Sequence, residues 1–201
     1  MRLLVATTNP GKVREITGIL DGSGVELWTL AGFPSLEAPD ETGSTFEENA
    51  RQKALYYSVA SGELTVAEDS GLAIDALGGA PGVESARFGG AGSTYPEKFA
   101  LLFARLAHLA PAARTARFVC ALALAEGDRV LFEARGTVEG LITDEAKGTG
   151  GFGYDPIFFY PAFGTTLAES ADRKTTVSHR GAAFSKLRDY LAARKNAPAR
   201  G

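Results

Sequence analysis

The sequence predicts an α/β protein with a mixed β-sheet, and three observations carry this. Apolar strands alternate with stretches of helical period over the first 70 or so residues, beginning with "RLLVA" (2–6) and the helix-patterned segment 10–21. Residues 116–142, "ARFVCALALAEGDRVLFEARGTVEGLI", read as one long β-hairpin. A sheet fed by both βα crossovers and a hairpin has parallel and antiparallel pairs.

In chain order, "RLLVA" is a buried strand and "TTNPGK" the polar turn that leaves it. Val13, Ile16, Ile19 and Leu20 then recur at helical spacing, and Pro10 suits a first helical turn. "VELWTL" (25–30) is a second strand, and 31–43 is a loop containing Pro and acidic residues. Ser44 and Glu47 have capping-box spacing, which opens a helix there. "LTVAE" (64–68) is a third strand, after which Asp69-Ser70-Gly71 has turn chemistry. A second capping box, Thr94 to Glu97, starts a helix reaching about Leu109. The hairpin turns at Glu126–Arg129, and a glycine-rich loop (148–153) leads into the strand "PIFFY". Ser178 caps a last helix over 179–194, and 195–201 is a frayed tail to a single domain, 1–194.

Composition excludes several classes. A net charge of −3 argues against a general nucleic-acid binder. The single cysteine, Cys120, allows no disulfide within the chain and no Cys-based zinc site, and its apolar setting reads as a core thiol. The N-terminal apolar stretch is too short for a signal peptide, and no window has the length of a membrane span. A cytoplasmic protein with no membrane partner is expected.

Four stretches could carry chemistry. "ATTNPGK" (6–12) lies where a strand enters a helix; Thr7, Thr8, Asn9, Pro10 and Gly11 offer hydroxyl, amide and backbone N–H contacts to a phosphate, and Lys12 adds a charge. It is not a Walker A loop, and a plain helix cap is the simpler alternative. Asp40, Glu41, Glu68 and Asp69 form an acidic set suited to a hard cation, or else they are solvated loop acids. Strand alternation puts Glu68 and Asp69 on opposite faces, so only one of them should meet a metal. "GTGGFGYDP" (148–156) surrounds Phe152 and Tyr154 with glycines, which suits a close ligand approach and stacking on a base. In "DRKTTVSHRGAAF" (172–184), Lys174, His179 and Arg180 supply donors for purine carbonyl oxygens.

Taken in order, "TTNPGK", "ENARQKA", "AEDSGLAIDALGGAPGVESARF", "GTGGFGYDPIF" and "SHRGAAF" resemble the inosine triphosphate pyrophosphatase family, from residue 2 to about 192. The family often has two Asp before Ser-Gly where this chain has Glu68-Asp69, and Gly where it has Thr8. Neither change removes a carboxylate or the lysine. The resemblance implies a long central sheet flanked by helices, two lobes with a cleft between them, and a homodimer. It also implies Mg²⁺-dependent cleavage of dITP, ITP and XTP to a monophosphate and pyrophosphate. Carried over by position, Thr7 to Lys12 hold phosphates, Asp69 is the metal-binding general base and Ser70 a substrate contact. Phe152, Gly153, Tyr154, Asp155, Lys174, His179 and Arg180 match nucleotide-binding positions. The second metal ligand falls at Asp40 or Glu41, with Glu41 favoured.

Lys12, Lys53 and Lys174 with a metal make a sensible counter-set to a triphosphate, although Lys53 also reads as a solvated helix lysine. Two other readings compete: a Maf-like pyrophosphatase acting on pyrimidine nucleotides, and a nucleotide-binding module without turnover.

Overall fold

The computed structural model describes residues 1–196. In chain order the elements are β1 (Arg2–Val5), α1 (Pro10–Leu20), β2 (Glu26–Thr29), α2 (Phe46–Ser61), β3 (Thr65–Ile74), α3 (Tyr95–Leu106), β4 (Thr115–Glu126), β5 (Arg129–Ile142), β6 (Phe158–Tyr160), β7 (Thr165–Thr166) and α4 (His179–Asn196). Among the described residues the strands form one seven-stranded sheet of order β2-β1-β3-β4-β5-β6-β7. It is mixed: β1 runs parallel to β2 and β3, whereas β6 is antiparallel to β5 and β7.

Contacts divide the chain into two compact units, with β3, β4 and β5 contributing to both. The first comprises residues 1–69, 120–136 and those from 179 on. Its core alternates at period two along the strands: Leu3 and Val5, then Val66, then Cys120, Leu122 and Leu124. Ile16 and Leu20 of α1 and Phe184, Leu187 and Leu191 of α4 join the same cluster. Each such side chain adds about 1.5–3 kcal/mol by leaving water. The second unit, residues 70–119 and 137–178, has its own core of Leu72, Ile74, Phe99, Leu102, Leu106, Phe118 and Phe158.

The largest departure from the sequence reading is β3, which runs to Ile74 instead of stopping at Glu68. Asp69-Ser70-Gly71 is strand, not turn, because Leu72 and Ile74 continue the buried alternation. Gly71 is needed there for space: a Cβ would stand 2.4 Å from the Ser85 hydroxyl. The capping box of α2 sits one residue later than expected, with Thr45 accepting from the Glu48 N–H while the Glu48 carboxylate takes the Thr45 and Ser44 N–H groups. Helix α3 ends at Leu106, short of Leu109, and α4 extends to Asn196. Residues 195–196 are therefore helical, and the rest of the expected frayed tail lies outside the described residues.

The start of α4 lies hard against β5, and Gly136 makes this possible. A Cβ at that position would be 2.2 Å from the His179 carbonyl oxygen and 2.7 Å from the Ala183 nitrogen. Gly136→Ala should therefore destabilise by about 1–3 kcal/mol, read as a Tm fall of roughly 2–12 °C. Gly18, in the interior of α1 with open space where a Cβ would stand, gives the opposite expectation. Gly18→Ala should raise Tm slightly, gaining about 0.5–1 kcal/mol.

Candidate active site

Within the first unit, β3 directs its two adjacent carboxylates to different partners. Asp69 is 5% exposed and meets α2, where the Asn49 amide donates to its Oδ2 at 3.0 Å and the Lys53 ammonium lies 3.7 Å from its Oδ1. Lys53 also donates to Glu41 Oε1 at 2.6 Å. Asn49 also anchors the preceding loop: its Oδ1 accepts from the Gly43 N–H at 2.8 Å, tying the loop that carries Glu41 to the helix that holds Asp69. Asp40 is exposed, whereas Glu41 is half-buried against Lys53. Burial, with help from Glu41, pushes the Asp69 carboxyl above the ordinary aspartate range despite Lys53 and Asn49. Burial opposes the charge on Lys53, but Asp69 and Glu41 outweigh it and raise its pKa.

Glu68 points to the side of α1 and α4 and is 2% exposed. Lys12 of α1 lies 3.0 Å from its Oε1, and the Arg180 guanidinium donates to the same oxygen through Nε and Nη2 at 3.3 and 3.2 Å. Arg180 also donates through Nη1 to Glu15, and the Cys120 thiol to Glu68 Oε2 at 3.3 Å. Two carboxylates and two cations balance here. Burial pushes the Glu68 carboxyl up, but Arg180 and Lys12 more than reverse it and hold it far below the usual carboxylate range. Burial, followed by the Glu68 charge, pushes the Cys120 thiol well above its ordinary value, so it stays neutral.

The "TTNPGK" turn caps α1 as well as facing solvent. Asn9 Oδ1 accepts from the Gly11 and Lys12 N–H groups at 2.9 and 3.2 Å, and Thr7 Oγ1 accepts from the Asn9 N–H. Pro10 is the first residue of the helix. Thr7, Thr8 and Pro10 also line a groove of about 580 Å³ with Phe33, Leu36 and Tyr57.

The second unit holds a separate cluster. Asp155 and Lys174 are almost wholly buried and paired at 2.8 Å, and the same Asp155 oxygen accepts the Phe152 N–H at 2.8 Å. The Lys174 ammonium lies 4.4 Å from the centre of the Phe152 ring, a cation–π contact. Gly151 permits this turn: it has φ +70°, and a Cβ would lie 2.1 Å from Asp155 Oδ2. Gly153 also has positive φ. Tyr154 belongs to the core, its ring edge-on to Tyr95 at 5.4 Å and its hydroxyl donating to the Ser85 carbonyl at 2.8 Å. Ser70, half-buried on β3, is also in this unit.

Thus Lys12, Glu41, Lys53, Asp69 and Arg180 are drawn into two charge clusters of the first unit, while Phe152, Asp155 and Lys174 make a third in the second. His179, buried, opens α4 beside Arg180. The sequence reading gives Asn49 and Glu15 no role, and places Glu68 in the acidic set but on the strand face opposite Asp69. Asn49 had a signal: it lies with Phe46, Ala50, Ala54 and Tyr57 on the buried stripe of α2, an odd place for an amide without a partner. Glu15 had none.

Glu68 ionises far more readily here than in an unfolded chain, so it adds stability above the ordinary glutamate pKa that is lost as pH falls. Glu68→Gln should cost about 3–5 kcal/mol at neutral pH, by leaving Arg180 and Lys12 under-compensated. The Tm gap to wild type should be widest near pH 7 and shrink below about pH 4.3. A gap of constant size down to pH 2 would contradict the ionised state of Glu68.

Comparison with known proteins shows the family and the fold. The model of the Ham1 family matches residues 3–190. A dITP/XTP pyrophosphatase of an Exiguobacterium species is 48% identical over 188 residues, 93% of this chain and 95% of that protein. The structure of a HAM1 protein from Coxiella burnetii superposes with a TM-score of 0.88 at 36% identity, covering 96% of this chain and 99% of the other. That of a nucleoside-triphosphatase / dITP/XTP pyrophosphatase from Mycobacterium abscessus does so with a TM-score of 0.76 at 41% identity, covering 93% and 97%. Matched over nearly its whole length in sequence and in structure, the chain belongs to the Ham1 family.

Proposed function

We propose that this protein hydrolyses deaminated purine nucleoside triphosphates, dITP, ITP and XTP, to the monophosphate and pyrophosphate, keeping them out of nucleic acids. The observation that carries the proposal is Asp69, buried, raised in pKa and held by Asn49 beside Lys53 and Glu41, in a chain similar to named dITP/XTP pyrophosphatases. A carboxylate of raised pKa is a better base toward water. Asp69 orients a water and accepts its proton as the oxygen attacks the α-phosphorus; the bond to the bridging oxygen then breaks and pyrophosphate leaves. Lys12 and Lys53 bind phosphate oxygens, with Thr7 to Gly11 providing hydroxyl and N–H contacts and Ser70 a further one.

Among the described residues no three His, Cys, Asp or Glu side chains are grouped to enclose a metal. Glu41 and Asp69 nevertheless both approach one ammonium, that of Lys53, so their geometry suits a small cation. Two carboxylates with water and phosphate oxygens are the donor set Mg²⁺ takes. When bound there, Mg²⁺ compensates phosphate charge and eases departure of pyrophosphate. Glu41 is assigned as the second ligand in preference to Asp40.

Phe152, fixed by Asp155 and Lys174, is assigned to stacking on the base; His179 and Arg180 are assigned as donors toward its 6-oxo group. Gly153 and Tyr154 would then act by shaping the loop. We also propose a cytoplasmic homodimer acting on small nucleotides, without a nucleic-acid or membrane partner. No helix among the described residues is long and apolar enough to cross a membrane, and the net charge is −3.

The deciding assay is pyrophosphate release from ITP, XTP, GTP, ATP and dTTP, with and without Mg²⁺. Mg²⁺-dependent release confined to ITP and XTP is expected; release mainly from dTTP would indicate a pyrimidine enzyme, and none at all a binding module. Asp69→Asn should reduce turnover by about 10²–10⁴-fold at saturating Mg²⁺. Arg180→Ala should erode the preference for ITP over ATP as well as lowering Tm, and an intact preference would remove Arg180 from base recognition.

A further inference from the structure

We infer that Lys53 holds, in the nucleotide-free protein, the position that a divalent cation takes once nucleotide is bound, so that metal and nucleotide enter together. This rests on the assignment of Glu41 and Asp69 as metal ligands. The Lys53 ammonium is 2.6 Å from Glu41 Oε1 and 3.7 Å from Asp69 Oδ1, and its side chain is 12% exposed. Both carboxylates thus converge on a cation that the protein itself supplies.

A second cation cannot join them without strong repulsion at this range. The carboxylates are not readily spread apart to admit one, because Asn49 bonds Asp69 with its amide nitrogen and the Gly43 N–H with its oxygen. Lys53 is the adaptable member, an ammonium on a four-carbon stem rooted in the middle of α2. Its charge is favourable only beside an anion, and a triphosphate brings one. Moving the ammonium from the carboxylates to phosphate vacates their shared position as the substrate delivers its own metal. Lys53 in this account is both the guard of the metal position and a phosphate ligand.

The test is Mn²⁺ binding to the full-length protein without nucleotide, followed by the EPR signal of unbound Mn²⁺. Lys53→Met should bind Mn²⁺ about 10- to 100-fold more tightly than wild type, and Glu41→Gln added to that variant should abolish the gain. Lys53→Gln, which keeps a donor for Glu41 without the charge, repeats the comparison if the methionine variant fails to fold by circular dichroism. Equal affinities in wild type and the Lys53 variants, tight or undetectable, overturn the inference; so does a gain that survives Glu41→Gln. The pyrophosphatase reading stands or falls separately, on wild-type turnover of ITP.

Discussion

Two neighbouring carboxylates on one strand can be buried together only if each is compensated from its own side. Strand geometry sends Glu68 toward α1 and α4, where Lys12 and Arg180 await it, and Asp69 toward α2, where Asn49 and Lys53 do. The outcome is a division of labour by environment. Glu68 is pinned in its ionised form by two cations, while burial leaves Asp69 with a raised pKa. Pairs of acids whose surroundings push their pKa values apart are how one site obtains both a fixed counter-charge and a base.

Much of the first unit follows from this arrangement. Lys12 reaches Glu68 because Asn9 and Pro10 start α1 where they do, and Arg180 reaches it because Gly136 lets α4 lie against β5. Breaking a buried pair exposes the surviving charge to an apolar interior, so the cluster behaves as one element. The second unit repeats the logic on a smaller scale. There Asp155 compensates Lys174 and grips the Phe152 N–H, which sets an aromatic ring against a cation on a glycine turn.

The parts of this fold legible in the sequence were those set by short-range pattern. The hairpin turn between Glu126 and Arg129 falls where a polar break interrupts two strand-patterned runs, and α1 starts at Pro10 as its cap chemistry requires. The alternation of Glu68 and Asp69 was legible too, being a property of any strand. The continuation of β3 was not, because Asp-Ser-Gly is turn chemistry locally and only the approach of Ser85 explains why glycine is there. Nor were the partners of Arg180: Glu15 and Glu68 lie 165 and 112 residues away in sequence, and no local rule links them. The motif named lysines and acids that the fold pairs, without saying which of them hold one another.

The central claim is that Glu68 and Asp69, adjacent in sequence, are electrostatically opposite. Carboxyl ¹³C NMR titration of the protein, with each signal assigned through Glu68→Gln and Asp69→Asn, tests this most directly. The account predicts that Asp69 titrates above the ordinary aspartate value and that Glu68 stays ionised at the lowest pH the fold survives. Two carboxyls titrating together at ordinary values would contradict it.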